Sequence, residues 1–134
     1  MPKSYSLSEF ESKDLLGSYG IKITKDAIVH SADEAIEQSE IIGYPVVLKI
    51  SGAEFSHKTE LNGVKLNLDN ETSVRNAVAD LYKSIDGQTP LLISEQVKSS
   101  REFIAGVTRN DEYGLVLAFG AGGVFTEIIK DVVF

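Results

Sequence analysis

The sequence contains no cysteine among its 134 residues. The chain therefore forms no disulfide, binds no metal through thiolates and carries no cysteine nucleophile. No apolar run approaches the roughly 18 residues that a membrane-spanning helix needs. The polar start of the chain also lacks the apolar core of a signal peptide. We therefore expect a cytosolic protein without a membrane segment.

Basic residues are in the minority: 13 Lys and Arg stand against 20 Asp and Glu, for a formal net charge of −7. A protein that follows the phosphates of a nucleic acid needs a basic surface, so we expect no nucleic-acid partner. A bound nucleotide is compatible with this charge, because a few lysines and backbone N–H groups are enough to hold its phosphates. Length and composition are those of one ordinary globular domain.

Helix signals are regular in the first two thirds of the chain. The segments Ser8–Glu11 and Ser31–Glu34 match the capping-box pattern, and a glycine ends each of the two helices that they open. A third helix follows Asn70, where apolar residues recur at helical spacing from Val74 to Ile85. The sequence therefore predicts three helices.

Strand-like segments alternate with these helices and then follow one another. The segment 45–51 is almost continuously apolar, which is typical of a strand buried on both faces. Val64, Leu66 and Leu68 alternate with polar residues, so we expect these three to share one buried face. The predicted strands are 26–30, 45–51, 63–68, 91–97, 102–108, 113–119 and 124–129, the last being a strand or a strand-to-helix turn. This order indicates a mixed α/β (α+β) fold in two lobes.

A lysine, Lys49, interrupts the apolar strand 45–51. Burial of an unpaired ammonium group is costly, so Lys49 needs an anionic partner. The residues alone leave two interpretations open. Lys49 either lies at an edge or in a salt bridge with a carboxylate, or it clamps a phosphate in a cleft.

A long polar loop, residues 52–63, holds one of the two histidines. His57 lies between Ser56 and Lys58. An imidazole can act as a nucleophile toward phosphorus, and a neighbouring ammonium group stabilises phosphoryl oxygens. An ordinary solvated histidine is the alternative, and this is how we interpret His30.

Two further segments contain candidate binding groups. Glu95 ends one predicted strand and Glu102 begins the next, so these carboxylates either flank a nucleotide or face solvent. The glycine loop 120–123 offers backbone N–H groups to an anion. It is not a P-loop, because no Gly-Lys-Ser/Thr follows. We find no histidine pair for a metal and no nucleophile–histidine–acid triad.

Five segments, in order along the chain, resemble the ATP-grasp domain of ADP-forming acetyl-CoA synthetases, which belong to the nucleoside-diphosphate-forming acyl-CoA synthetases. They are residues 7–21, 42–50, 56–64, 101–109 and 119–127. The third resembles the histidine loop of the family, with Asn62 in place of the usual glycine; asparagine tolerates left-handed backbone angles. The resemblance covers essentially the whole chain. It implies the N-terminal portion of an ATP-grasp fold, with a domain over 1–134 that is incomplete at its C-terminus.

The resemblance also implies roles for individual residues. Those that would bind the nucleotide are Lys49, Glu95, Gln96, Val97 and Glu102. Lys49 would hold phosphate, the backbone of the hinge Glu95–Val97 would contact the adenine edge, and Glu102 would accept hydrogen bonds from the ribose hydroxyls. His57 would carry the phosphoryl group to ADP as the catalytic residue. Residues that would lie near the phosphates are Ser56, Lys58, Gly122, Gly123 and Glu127.

The activity implied by the resemblance is that of an acid–thiol ligase. The parent protein would convert acyl-CoA, ADP and phosphate reversibly to a free acid, CoA and ATP. It would use ATP or ADP with Mg²⁺, whose ligands are expected mostly beyond residue 134, so no metal ligand is assigned within this chain. Its partner would be a CoA-binding subunit or domain, in a hetero-oligomer or a fused chain.

Two other functions remain open at this point. The same type of domain occurs fused to an acetyltransferase, where it resembles a regulatory module that binds a nucleotide without catalysis. The chain can also be a structural fragment that is inactive by itself, and we expect no ATP formation from it alone. The acyl substrate is not encoded here, because the partner would recognise it.

Overall fold

The computed structural model describes residues 7–51, 63–122 and 132–133, which fall into two units, Met1–Val97 and Lys98–Phe134. Each unit is described by itself. The helices and strands of the first are α1 (Glu9–Ser18), β1 (Asp26–Val29), α2 (Ala32–Ile42), β2 (Val46–Ile50), β3 (Val64–Leu68), α3 (Glu71–Leu81) and β4 (Leu91–Glu95). Those of the second are β5 (Phe103–Asn110), β6 (Gly114–Ala121) and β7 (Val132–Val133).

Helix α1 begins and ends as its sequence predicts. The Ser8 hydroxyl accepts a hydrogen bond from the N–H of Glu11, and the Glu11 carboxylate accepts one from the N–H of Ser8, which completes a capping box. At the other end Gly20 has a left-handed φ of 82°. The N–H groups of Gly20 and Ile21 donate to carbonyls of the last turn, which is a Schellman motif.

Helices α2 and α3 are also capped at the predicted residues, with one difference. Ser31 accepts a hydrogen bond from the N–H of Glu34, but the Glu34 carboxylate accepts from the N–H of His30 instead of Ser31. The second capping box is therefore only half formed. Asn70 caps α3 through a reciprocal pair of hydrogen bonds with Ser73.

The first unit is a four-stranded antiparallel sheet in the order β1-β4-β2-β3. Helices α2 and α3 contact each other and the strands, α2 over β1 and β4 and α3 over β2 and β3, so both cover the same face. Between them lies the hydrophobic core, whose buried residues are Val29, Ala35, Val46, Leu48, Ile50, Leu68, Val74, Ala77, Val78, Leu81, Leu91 and Ile93. The predicted helical face of α3 is thus confirmed from Val74 to Leu81. Ile85 packs against the core from beyond the helix, which ends at Leu81.

The opposite face of this sheet lies on the side of α1. Side chains alternate along a strand, so Val46, Leu48 and Ile50 face the core while Val47 and Lys49 face the other way. Val47 is buried, and the predicted burial of β2 on both faces is confirmed. Lys49 is the half-buried exception. The sequence pattern of β2 therefore directs one ammonium group toward α1.

Strand β3 departs from the predicted alternation. Val46 pairs with Leu68 and Leu48 pairs with Lys65, so β3 has one residue more than β2 across this step. This is a β-bulge, at which Asn67 takes a left-handed φ of 57°. Leu66 is consequently 58% exposed. The prediction that Leu66 shares a buried face was wrong, because a bulge breaks the period of two.

The second unit is a hairpin of β5 and β6, extended by β7 along β6. Asn110 begins the turn by accepting hydrogen bonds from the N–H groups of Glu112 and Tyr113. Phe103 and Phe119 stack with ring centroids 5.6 Å apart. The predicted segment 124–129 lies outside the described residues. Within the residues that are described, no helix is long and apolar enough to cross a membrane.

Candidate functional site

Lys49 belongs to a cluster of charged groups that joins α1 to the sheet. Its ammonium group lies 2.7 Å from Oε1 of Glu9, the first residue of α1. Lys13, one turn later on α1, contacts the same oxygen at 3.0 Å. The Lys13 ammonium also donates to Asp26 at 2.7 Å and to the Thr24 hydroxyl at 2.9 Å. Helix α1 is thereby held against β1 and β2 by shared charges.

The electrostatics of this cluster depend on Glu9. Its partial burial would raise the pKa of its carboxyl group, but hydrogen bonds and attraction from Lys49 and Lys13 outweigh burial and lower the pKa from 4.5 to about 2. For Lys13, burial acts to lower the pKa of the ammonium, while Asp26 and Glu9 raise it, and the net shift is upward. Glu9 and Lys13 are therefore both charged at neutral pH.

We expect the Glu9 pairing to contribute stability that acid removes. A carboxylate with a depressed folded-state pKa stabilises the fold above its unfolded pKa, and this contribution is lost as pH falls through 4.5 toward 2. Between pH 6 and pH 3 the loss is about 2 kcal/mol for Glu9. Glu9→Gln should lack this component. Urea titrations of both proteins at several pH values should show their free energies of unfolding converging by that amount; parallel curves would contradict the assignment.

The structure favours the first of the two interpretations of Lys49. Its anionic partner is the carboxylate of Glu9, 40 positions earlier in the chain, which sequence reasoning did not identify. An ammonium group has three donors, however, and the contact with Glu9 uses one of them. The phosphate-binding role of Lys49 stays a prediction.

The hinge Glu95–Val97 is fixed to the sheet mainly through its first two residues. The N–H of Glu95 donates to the carbonyl of Lys25 at 2.9 Å, and the Glu95 carboxylate accepts from the N–H of Lys25 at 3.2 Å. The N–H of Gln96 donates to the carbonyl of Pro45 at 3.3 Å. Within 7–51 and 63–122, the N–H of Val97 makes no hydrogen bond. Val97 therefore has the first backbone donor of the hinge that is unused within this part of the chain.

The side chain of Gln96 has a partner that sequence reasoning missed. Its carbonyl oxygen accepts from the N–H of Asn67 at 2.7 Å, and its amide nitrogen donates to Oδ1 of Asn67 at 2.8 Å. The only sequence signal is an asparagine inside a strand pattern, since asparagine tolerates the left-handed conformation. The β3 bulge thus contacts the hinge directly.

In the second unit, Glu102 and Gly122 are brought together. The N–H of Gly122 donates to the carbonyl of Glu102 at 2.9 Å. A Cβ atom at Gly122 would lie 3.0 Å from the backbone carbon of Phe103, so only glycine fits this approach without a shift. This N–H is paired within the chain, while the Glu102 side chain is exposed. The roles predicted for Glu102 and Gly122 remain predictions.

The remaining predicted site residues lie outside the described residues. They are Ser56, His57 and Lys58 of the polar loop, together with Gly123 and Glu127. Their predicted roles therefore rest on the sequence.

A model of the family described as ATP-grasp domain matches residues 2–134. The chain belongs to the ATP-grasp family. The mixed α/β architecture with antiparallel sheets agrees with the fold class expected from the sequence. The resemblance noted above is thereby confirmed at the level of the family.

This ATP-grasp domain is similar to parts of ADP-forming ligases. It is 41% identical over 128 residues to "Acetate--CoA ligase [ADP-forming] II" of Archaeoglobus fulgidus, a match that covers 96% of this chain and 19% of that protein. It is 32% identical over 135 residues to "Acetate--CoA ligase [ADP-forming] II subunit beta" of Pyrococcus furiosus, which covers 96% of this chain and 57% of the subunit.

The ATP-grasp domain also matches solved structures of one such synthetase. The dinucleotide forming acetyl-coenzyme A synthetase 1 of Ca. Korarchaeum cryptofilum, in complex with coenzyme A and Ca-AMPCP, gives a TM-score of 0.82 at 37% identity and covers 94% of this chain and 58% of that chain. In a second structure of that protein, with coenzyme A and Mg-AMPPCP, a phosphohistidine segment points towards the nucleotide binding site. This match has a TM-score of 0.71 at 38% identity and covers 92% of this chain and 54% of that chain. The chain thus spans less than two thirds of each relative.

Proposed function

We propose that this chain is the nucleotide-binding part of an ADP-forming acyl-CoA synthetase. The observation that carries the proposal is the match over almost the whole chain to ligases that are named ADP-forming and to an acetyl-coenzyme A synthetase solved with coenzyme A and Ca-AMPCP. Because the chain spans only 57–58% of the subunit and of the solved chain that it matches, the complete enzyme carries further segments. The domain over 1–134 is one portion of it.

The hinge supports binding of an adenine base. The N–H of Val97 makes no hydrogen bond within the described part of the chain, whereas the N–H groups of Glu95 and Gln96 are already used. A backbone N–H in this position donates to a ring nitrogen of the base. Glu102 accepts hydrogen bonds from the ribose hydroxyls, for which an exposed carboxylate is suited.

The strand register supports binding of phosphates by Lys49. Lys49 lies opposite Leu92 of β4, three residues before Glu95. Three strand residues span about 10 Å, which is of the order of the reach of an extended nucleoside diphosphate from its base to its phosphates. The two ammonium donors that Glu9 leaves unused can meet phosphoryl oxygens. Lys49 therefore contacts Glu9 and phosphate at once, or exchanges one for the other.

His57 is the phosphoryl carrier in this proposal. An imidazole nitrogen attacks phosphorus of a phosphoryl group delivered by the CoA-binding partner, and the bond from phosphorus to the donor breaks. A terminal oxygen of ADP then attacks the same phosphorus, and the bond between phosphorus and the imidazole nitrogen breaks to give ATP. Lys58 offsets charge on the phosphoryl oxygens, and Ser56 donates a hydrogen bond. The phosphohistidine segment of the solved relative supports this role.

Mg²⁺ would neutralise charge on the nucleotide phosphates. The described residues contain no group of three His, Cys, Asp or Glu side chains that could hold a metal ion, so no residue of this chain is assigned to it. The partner is a CoA-binding subunit or a fused domain that recognises the acyl group. The enzyme acts in the cytosol.

The direct test is ATP formation by the complete protein with its CoA-binding partner. Supplied with acetyl-CoA or another acyl-CoA, ADP, phosphate and Mg²⁺, it should form ATP, measured with a luciferase assay. The chain alone should form none, since the proposal assigns the acyl-CoA site to the partner and assigns no magnesium ligand to this chain. Nucleotide binding without ATP formation across a panel of acyl-CoA substrates would instead indicate a regulatory module.

A further inference from the structure

The bulge in β3 and the hinge form one hydrogen-bonded unit. Asn67 has a left-handed φ of 57°, which places both its N–H and its side-chain oxygen toward Gln96. The side-chain oxygen of Gln96 accepts a hydrogen bond from the N–H of Asn67 at 2.7 Å. The side-chain nitrogen of Gln96 donates to the side-chain oxygen of Asn67 at 2.8 Å. A primary amide satisfies a donor and an acceptor together in this way. The pair joins two segments that are 29 positions apart in the chain.

Gln96 is also fixed through its backbone. The backbone N–H of Gln96 donates to the carbonyl of Pro45, which directly precedes β2. The main chain of Gln96 is thus fixed to the start of β2, and its side chain is fixed to the bulge of β3. Val97 follows at once, and its side chain is 63% exposed. The position of the Val97 N–H therefore depends on both attachments of Gln96.

We propose that Asn67 is a positioning residue for base selection: through Gln96 it fixes the backbone groups of the hinge that meet the nucleotide base. This inference rests on the proposed function. Adenine presents an amino donor where guanine presents a carbonyl acceptor, so a backbone edge held in one register discriminates between the two bases. An edge that can shift by a fraction of a residue discriminates less. Asn67 itself touches no nucleotide.

The test compares ADP and GDP binding by calorimetry in the complete protein and in variants of the pair. Gln96→Leu removes both hydrogen bonds, and Asn67→Gly keeps the left-handed backbone but removes the side-chain acceptor. Each should reduce the ratio of the two dissociation constants about three- to tenfold, the effect of one or two neutral hydrogen bonds. The double variant should lose no more selectivity between ADP and GDP than Gln96→Leu loses alone. Turnover at saturating ADP should stay unchanged in Asn67→Gly, because Asn67 itself contacts no nucleotide.

Asn67→Asp supplies the rescue. Aspartate also tolerates the left-handed conformation and offers an oxygen to the Gln96 amide, so selectivity should stay at the wild-type level. Lys65→Gln, which breaks the exposed pair between Lys65 of β3 and Asp80 of α3, should leave selectivity unchanged as well. Wild-type selectivity in folded Gln96→Leu protein would overturn the inference. Failure of the wild-type protein to bind either nucleotide would instead contradict the proposed function.

Discussion

Replacing His57 by alanine is expected to reduce ATP formation by the complete enzyme to background while leaving nucleotide affinity unchanged. Without the imidazole no nitrogen can accept the phosphoryl group from the partner, so the two-step transfer has no intermediate. Nucleotide affinity should survive because Lys49 lies on β2 and the hinge Glu95–Val97 lies at the end of β4, and the proposal assigns neither contact to the loop side chain. Turnover assays and calorimetric titrations with ADP measure the two effects separately.

The phosphoryl group itself can be detected on His57. After incubation with acyl-CoA, phosphate and Mg²⁺ in the presence of the partner, labelled phosphate should appear on the peptide that contains His57, and the label should be stable to base and labile to acid. His30 is the matched control: it is exposed, and its ring lies 3.7 Å from Glu34, so His30→Ala should turn over normally. Full turnover in His57→Ala, or label on the partner alone, would show that His57 is not a carrier.

Local signals account for the parts of the fold that the sequence predicted correctly. The Ser8 capping box and the left-handed Gly20 depend on residues within one helical turn of each end, so their pattern is visible without knowledge of the tertiary structure. The apolar run of β2 likewise shows burial on both faces. The helix ends are recognisable because their hydrogen-bond partners lie within a few residues, and the burial of β2 because it depends on the residue types of the strand itself.

The bulge in β3 was missed because its cause is not local. Val64, Leu66 and Leu68 alternate as in a regular strand, and this pattern contains no sign of an extra residue. What stabilises Asn67 is Gln96, which lies 29 positions later in the chain, beyond α3 and β4. An alternation of apolar and polar residues therefore indicates that a strand is present, but it does not reveal how that strand pairs with its neighbour.

The same reason limits what the sequence indicates about the candidate site. Lys49 in an apolar strand predicts an anionic partner, but several carboxylates were available and only the placement of α1 selects Glu9. The predicted hinge 95–97 begins at the last residue of β4, which ends at Glu95 and not at 97 as the sequence predicts. Which of its N–H groups stay open to a ligand follows from bonds to Lys25 and Pro45, which no sequence pattern encodes.

Substitution of Lys49 by methionine should weaken nucleotide binding by more than about tenfold, because a charge-assisted hydrogen bond contributes about 1.5–3 kcal/mol. Methionine retains the length and apolar contacts of the lysine stem but carries no charge. The Lys49 side chain is only 24% exposed, and its ammonium group contacts Glu9 of α1. Loss of one partner leaves Glu9 in contact with Lys13, so the protein should stay folded with a lowered melting temperature.

Lys13→Met separates phosphate binding from simple charge pairing. Lys13 shares the Glu9 oxygen with Lys49 and also pairs with Asp26, but it lies on α1 and not on the strand next to the hinge. The Lys13→Met substitution should therefore lower the melting temperature at least as much as Lys49→Met does, and it should leave ADP affinity unchanged. Calorimetric titration and thermal melts of the two variants give four values to compare. If Lys49→Met binds ADP as the wild type does and only its melting temperature falls, Lys49 is a partner of Glu9 alone and another group of the protein must hold the phosphates.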